Sequence, residues 1–361
     1  MKGVYTFLPL EKVHYGAGSV SILPDEVDRL GGKRVLIITG NTLAHETPLV
    51  DRLADLLGRR HAGTFSDVQA HVPKSCVEAA AGMARERGAD LLLSIGGGSP
   101  VDAAKATAWT LAGDDDPPPH LTVPTTLSAA EYSHVAGYTD EEANAKDRYV
   151  DPRLTPRTII LDPEMTLATP EWLWSSSGIR ALDHAVETLY APGDHPVQDV
   201  LALEAIRELF AFLPAVLENA EDVDARLRCQ MAAWMGFFAP ATIDYGLSHT
   251  LSKAFGTRYD VPHGITSCIT LPPVMRYTAQ QNAAPLARMG RALGAAGPDA
   301  DKEQAAVAAA DAVSDLIQRL SLPHRLRDVD VPRDAFGTIA DDVAEKGYPR
   351  DDALRILEEA W

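Results

Sequence analysis

The sequence contains few cysteines, a deficit of positive charge and no long apolar run. The three cysteines among its 361 residues, Cys76, Cys229 and Cys268, form no CxxC pair. This usage indicates a reducing compartment and no disulfide framework. Lys and Arg number 33 against 51 Asp and Glu, which gives a net charge of −18. An acidic surface argues against nucleic acid, because phosphate binding needs basic residues, although a local cationic pocket can still bind a small anionic substrate.

No segment is apolar over the length that a bilayer span requires, and the N-terminus carries no apolar stretch of signal-peptide length. A cytoplasmic protein that contacts no membrane is therefore expected. With 46% hydrophobic and 23% charged residues, the composition is that of an ordinary globular enzyme. The length allows two domains.

The first half of the chain alternates short apolar runs with helical patterns. The runs at 33–41, 90–98, 120–126 and 157–163 each end in turn residues, as buried parallel strands do. The segments at 48–60 and 74–89 have apolar residues at helical spacing. This order predicts an α/β domain with a parallel sheet and crossover helices, of the Rossmann-like type. The polar segment 139–156 predicts a hairpin or loop.

The second half is rich in Ala and Leu at helical spacing and predicts an all-α domain. We therefore divide the chain into an α/β domain, residues 1–163, and a helical domain, residues 164–361. A ligand is expected in the cleft that two such domains form. The large apolar side chains expected to pack the helical core are Trp172, Trp174, Met231, Met235 and Phe237.

A glycine-rich loop joins a predicted strand to a predicted helix at Gly96–Gly98. Ser99 is the expected N-cap of that helix, and Asp102 stands where a capping box has its carboxylate. Backbone N–H groups at such a helix start can bind a pyrophosphate. The loop matches neither GxGxxG nor a Walker sequence, and a plain turn is an equal alternative at this point.

Five residues of the second half combine imidazole and cationic side chains at helical spacing. Arg180 and His184 are four residues apart, as are His249 and Lys253, so each pair shares one helix face. His263 follows Pro262 at a loop or helix start. Taken singly, each histidine is more often structural than catalytic. Together, three imidazoles and two cations in one place would form a reaction centre.

Seven motifs in order give the chain a family resemblance: HYGAGS (14–19), GGGSPVDAAKA (96–106), VPTTLSAAEYS (123–133), TIILDPEMT (158–166), SGIRALDHAVETLYA (177–191), GLSHTLSKAFG (246–256) and DVPHGITSCITLPPVMRY (260–277). The chain resembles the iron-containing alcohol dehydrogenase superfamily, and most closely its maleylacetate reductase branch. The resemblance implies the dehydroquinate synthase-like fold, with a dinucleotide-binding domain, a helical catalytic domain, NADH or NADPH as cofactor and a homodimer.

The resemblance also assigns the cofactor-binding residues. Gly97, Gly98 and Ser99, followed by Asp102, match the pyrophosphate loop, and Thr125 and Thr126 match a turn that flanks the cofactor. Gly40 and Asn41 stand where many relatives carry an Asp that binds the adenosine ribose. Without that carboxylate a 2′-phosphate is not repelled, so NADPH is admissible beside NADH. A simple turn at Gly40 is the alternative interpretation.

At the metal site the chain departs from the metal-dependent members of the family. His184, His249 and His263 match the three histidine ligands, but Arg180 occupies the position of the Asp ligand. A guanidinium cannot ligate a metal, so metal-independent chemistry is predicted; a metal, if bound, would be held by those three histidines. Lys253 stands where a proton-transferring His is usual. It would donate a proton if burial favours its neutral form, or otherwise act as a fixed cation; a solvated lysine is the alternative.

The predicted function is an NAD(P)H-dependent reductase that transfers hydride to a carbonyl or activated C=C of a carboxylated small molecule. In it Arg180 would anchor the anionic substrate or stabilise the developing oxyanion. Two other classes are possible on the same fold. One is a non-redox lyase or cyclase, and the other is a metal-dependent alcohol dehydrogenase.

Overall fold

The computed structural model describes residues 2–142 and 145–361. The chain forms two compact units, Thr6–Thr169 and Pro170–Trp361, and residues 2–5 belong to the second. The N-terminal residues join the helical unit because the Lys2 amide donates to Asp194 and the Tyr5 hydroxyl donates to the Phe238 carbonyl. The first unit extends beyond the predicted boundary at 163, since the Thr169 hydroxyl donates to the Thr125 carbonyl at 2.8 Å.

The first unit, which we call the α/β unit, contains a six-stranded sheet. Its strands are β1 (Lys12–Tyr15), β2 (Val35–Ile38), β3 (His61–Phe65), β4 (Leu91–Gly96), β5 (His120–Pro124) and β8 (Thr158–Leu161). They lie in the order β1-β8-β5-β4-β2-β3, and all neighbouring strands are parallel. The four predicted strands are confirmed. The strands β1 and β3 lie at the two edges, where partial exposure leaves no continuous apolar run to detect.

The predicted hairpin in the polar segment is also present. Strands β6 (Val135–Asp140) and β7 (Ala145–Val150) pair antiparallel. Residues 143 and 144 lie outside the described part of the chain.

Five helices cover the sheet, and both sheet faces are buried. The helices are α1 (Leu23–Arg29), α2 (Asn41–Glu46), α3 (Leu49–Leu57), α4 (Lys74–Arg87) and α5 (Gly98–Ala112). Alternate residues of β2 enter different cores: Val35 and Ile37 pack with one cluster, and Leu36 and Ile38 with the other. Side chains alternate along a strand, so helices on both faces are needed to cover this apolar run.

The second unit, which we call the helical unit, contains nine α-helices within its described residues. They are α6 (Glu171–Leu189), α7 (Pro196–Glu218), α8 (Val223–Gly236), α9 (Leu247–Gly256), α10 (His263–Thr278), α11 (Ala283–Ala292), α12 (Lys302–Arg319), α13 (Phe336–Ala344) and α14 (Arg350–Glu359). An α/β unit and a helical unit confirm the predicted fold class. No described helix is long and apolar enough to cross a membrane, and the three cysteines are free and buried.

The predicted helical core is only partly correct. Trp174 and Phe237 are buried, but Trp172 is 50% exposed and Met231 and Met235 are half-buried. Trp172 and Trp174 lie two residues apart in the first turn of α6. Residues at that spacing do not share a helix face, so only one of them can point into the core.

A buried carboxylate in the α/β unit makes its stability depend on pH. Glu26 is 3% exposed and accepts hydrogen bonds from Lys12 Nζ (2.9 Å), Arg29 Nε (2.7 Å) and Thr158 Oγ1 (2.9 Å). Burial opposes ionisation, but these hydrogen bonds outweigh it and lower the pKa of Glu26 from 4.5 to about 2. Because the pKa is lower in the folded state, the stabilisation is complete above the unfolded pKa and is lost as pH falls from 4.5 towards 2.

Glu26→Gln is therefore expected to reduce the free energy of unfolding near neutral pH and to flatten its decline in acid. The shift in the pKa of Glu26 corresponds to at most about 3 kcal/mol in the free energy of unfolding. Urea unfolding at several pH values measures it. Glu164→Gln is the control, because Glu164 is 39% exposed and, among the residues that the structure describes, its side chain pairs with a surface arginine, Arg52. Equal acid sensitivity of the wild type and Glu26→Gln would contradict this prediction.

Candidate active site

The predicted cofactor-binding residues lie at one edge of the sheet. Gly40 and Asn41 follow β2 and begin α2; Gly97–Ser99 follow β4; Thr125 and Thr126 follow β5. The strands β2, β4 and β5 are neighbours and parallel, so their carboxyl ends come together. Ligands of open α/β sheets bind outside this edge.

Glycine is required in the loop after β4. Gly96 has φ 139°, and a Cβ there would lie 2.7 Å from Pro100 Cγ. A Cβ on Gly97 would lie 3.1 Å from Thr126 Cγ2, and one on Gly98 would lie 3.4 Å from Ser128 Oγ. The loop therefore packs closely against the segment after β5. Ser128 Oγ is buried and has no hydrogen-bond partner in the described part of the chain, so its hydroxyl can donate to a ligand beside the loop.

The predicted cap of helix α5 is wrong. Gly97 is the N-cap, no side chain caps the helix, and Ser99 lies inside the first turn. Asp102 does not close a capping box, because its Oδ2 accepts from the Gly137 amide (3.4 Å) and its Oδ1 lies 3.5 Å from Lys105 Nζ. First-turn N–H groups without a side-chain cap, together with the Ser128 hydroxyl, fit an anionic group such as a dinucleotide diphosphate.

In the helical unit, α6 places four ionisable side chains in two buried turns. Arg180, Asp183, His184 and Glu187 stand at positions i, i+3, i+4 and i+7, which share one helix face. All four are at most 9% exposed. The sequence prediction identified the pair Arg180 and His184 but missed the two acids. Helical spacing could have identified them, because each acid stands three residues after a predicted site residue.

Arg180 is a buried cation, and most of its N–H groups make no hydrogen bond within the described residues. Its Nη1 donates to Ser267 Oγ at 3.0 Å and lies 3.5 Å from Asp183 Oδ2. Burial lowers the pKa of Arg180 from its ordinary value, against the attraction of nearby acids, yet a guanidinium stays protonated at neutral pH. Within the described residues it makes this single hydrogen bond, so four of its five N–H groups remain for a ligand.

The two buried acids are held by hydroxyl and amide donors. Asp183 Oδ2 accepts from Ser267 Oγ (2.7 Å) and Ser248 Oγ (3.0 Å). Glu187 accepts from the amides of Gly246 (2.8 Å) and Ser248 (2.9 Å). Burial raises the pKa of each to about 7, and for Asp183 the charge of Glu187 adds to this. Near neutral pH the pair therefore carries fewer than two negative charges.

The two buried histidines stack on each other beside these acids. The ring centroids of His184 and His249 are 4.9 Å apart, and the rings of Phe237 and Tyr245 lie 4.2 and 5.2 Å from that of His184. His249 Nδ1 lies 2.7 Å from Glu187 Oε2 but is not aligned for a hydrogen bond. Burial, reinforced by nearby cations that include Arg180, holds the pKa of both imidazoles well below 6.5, so both are neutral.

Lys253 and His263 stand in a different environment. Lys253 is exposed on α9, and His263 is exposed at the first residue of α10. Both are close enough for their charges to lower the pKa of His184. The sequence made proton transfer by Lys253 depend on burial, and Lys253 instead lies on the exposed side of this short helix, whose apolar side faces the core.

Among the described residues one group of side chains could hold a divalent metal, and the buried cation of Arg180 stands beside it. Of the three matching histidines, His249 alone joins the one group of ligating atoms within 4.8 Å of one another that the described residues contain; its partners are Asp183 and Glu187. The carboxylates of that group already accept four hydrogen bonds, two each. A buried guanidinium 3.5 Å from Asp183 would repel a dication.

Comparisons with known families match the chain in two parts, one within each unit. Residues 10–163 match the family described as iron-containing alcohol dehydrogenase, and residues 175–354 match the C-terminal model of the same family. Maleylacetate reductase from Burkholderia cepacia is 32% identical over 97% of this chain and 95% of its own length. Maleylacetate reductase 2 from Cupriavidus pinatubonensis is 35% identical over 80% of this chain and 77% of its own length.

A solved structure shows the same fold over the full chain. A putative alcohol dehydrogenase from Ralstonia eutropha superposes with a TM-score of 0.90 at 34% identity, covering 100% of this chain and 98% of that one.

Proposed function

The chain belongs to the iron-containing alcohol dehydrogenase family and is an NAD(P)-dependent oxidoreductase, and from this premise we propose that it reduces a carboxylated small molecule of the maleylacetate type without a metal ion. The observation that carries the proposal is the buried guanidinium of Arg180, which supplies a fixed positive charge beside His184 and His249.

The cofactor would bind at the carboxyl edge of the sheet in the α/β unit. Gly97, Gly98 and Ser99 would hold its diphosphate through backbone N–H groups. Thr125 and Thr126 would flank it, since a Cβ on Gly97 would touch the Thr126 side chain. Neither Gly40 nor Asn41 carries a charge that would repel a 2′-phosphate, so both NADH and NADPH are accepted. The bound cofactor supplies the hydride.

Arg180 would bind the substrate carboxylate or the oxygen that becomes negative as hydride arrives. A guanidinium presents paired N–H donors that match a carboxylate, and a buried one interacts more strongly with developing charge than a solvated one. The neutral rings of His184 and His249 would line the site and donate hydrogen bonds without adding repulsion. Lys253, which is exposed on α9, would act as a fixed cation that attracts the anionic substrate and polarises the accepting oxygen. The proton that completes the reduction would come from solvent.

No observation favours the non-redox alternative, since the relatives reported above are reductases or dehydrogenases by name. The metal-dependent alternative requires a ligand set that Arg180 disrupts. A homodimer and a cytoplasmic location stay predictions of the sequence.

The test is oxidation of NADH and of NADPH by the purified protein with maleylacetate, before and after dialysis against EDTA. We expect turnover with either cofactor, unchanged by EDTA, and iron and zinc below one equivalent per chain by elemental analysis. Activity that EDTA abolishes and zinc or iron restores would refute the metal-free mechanism. Absence of any cofactor oxidation would refute the proposed substrate class.

A further inference from the structure

Three helices bring polar groups together at one oxygen of Asp183. Ser267 of α10 donates to Oδ2 at 2.7 Å, Ser248 of α9 donates to it at 3.0 Å, and Arg180 of α6 lies 3.5 Å from it. Asp183, Ser248 and Ser267 are each 0% exposed. Bulk water does not reach these three side chains, and the packing of the three helices holds them together.

The direction of the hydrogen bonds follows from the chemistry of the hydroxyl group. A serine hydroxyl has one hydrogen, and that of Ser267 points to the carboxylate. Its lone pairs are then the acceptor for Arg180 Nη1 at 3.0 Å. Arg180 therefore donates a hydrogen bond to Ser267, and Ser267 donates one to Asp183. These two hydrogen bonds fix the position of one terminal nitrogen of Arg180.

We propose that Asp183 and Ser267 are positioning residues that hold the Arg180 guanidinium in the orientation in which it receives the substrate. The hold on Nη1 leaves Nε and Nη2 without a partner among the described residues, and these two donors form the edge that pairs with a carboxylate. A flexible arginine would have to be ordered each time substrate binds, whereas here folding has already ordered it. This inference rests on the proposed role of Arg180.

The test is a double-mutant cycle measured by steady-state kinetics with maleylacetate and NADH. Ser267→Ala and Asp183→Asn are each expected to raise KM for maleylacetate by about tenfold, with a smaller change in kcat and none in KM for NADH. In an Arg180→Ala background, Ser267→Ala is expected to have no further effect, because Ser267 acts through Arg180. Thermal unfolding of every variant separates loss of fold from loss of positioning.

Ser177→Ala is the matched control. Ser177 is a buried serine on the same helix as Arg180, but its hydroxyl donates to the Trp174 carbonyl at 2.9 Å. We expect wild-type kinetics from this variant. If Ser267→Ala multiplies the defect of Arg180→Ala, or if Ser267→Ala and Asp183→Asn leave KM unchanged while Arg180→Ala is impaired, the positioning role is refuted and the role of Arg180 stands. If Arg180→Ala itself has wild-type kinetics, the proposed mechanism fails first.

Discussion

Replacing Arg180 with alanine is expected to lower kcat/KM for the carboxylated substrate by about 10²–10³-fold, the range seen when one donor to a developing oxyanion is removed. The reason is that this guanidinium is the buried positive charge at the site, while the neighbouring imidazoles are neutral. Both KM and kcat should worsen if the same group binds substrate and stabilises the transition state. Steady-state kinetics with each cofactor measure the change.

The control must separate chemistry from stability, because Arg180→Ala leaves Asp183 buried without its cation. Breaking a buried ion pair on one side typically destabilises a protein by about 3–5 kcal/mol. The double variant Arg180→Met/Asp183→Asn removes both charges and is expected to regain stability without regaining activity. Arg180→Lys keeps the charge but loses the paired donors, so partial activity is expected. A kcat/KM for Arg180→Ala within a few-fold of the wild type would disprove the anchoring role.

The sequence predicted most of the α/β unit because its signal is local. Four buried strands are short, largely apolar runs followed by turn residues, and each was found where the structure has it. The error at the start of α5 has a physical cause. Ser99 and Asp102 fit a capping pattern, but three consecutive glycines let the helix begin two residues earlier, and Asp102 then meets Gly137 and Lys105 instead.

Helical spacing relates residues within one helix, so the sequence could predict only those site residues that share a helix. The spacing of four residues placed Arg180 with His184, and the same rule applied to acids would have added Asp183 and Glu187. Nothing local indicates that Ser248 and Ser267 meet at Asp183, because three helices far apart in sequence must pack before those hydroxyls converge. The exposure of Lys253 has the same origin, since it depends on which face of α9 the neighbouring helices cover.

The packing of α10 against α6 leads to the second large expected effect. A Cβ on Gly264 would lie 2.5 Å from the carbonyl carbon of Ser176 and 2.6 Å from its oxygen. Both atoms belong to the backbone of α6, so the helices would have to separate. Gly264 stands three residues before Ser267, and Ser176 four before Arg180. This contact therefore sets the distance at which Ser267 reaches the guanidinium.

Gly264→Ala is expected to destabilise the protein by about 3 kcal/mol and to reduce kcat/KM, because overpacking of this size outweighs the gain of about 1 kcal/mol from helix propensity. Gly82→Ala is the matched control: Gly82 is exposed within α4, nothing lies within 4 Å of a Cβ there, and the same substitution should stabilise by about 0.5–1 kcal/mol. Urea unfolding and kinetics distinguish the two. At Gly264 the alanine substitution gains stability from helix propensity and loses stability from overpacking. A variant more stable than the wild type would therefore mean that α6 and α10 do not approach this closely in solution. In that case the contact between Gly264 and Ser176 could not be what places Ser267 beside Arg180.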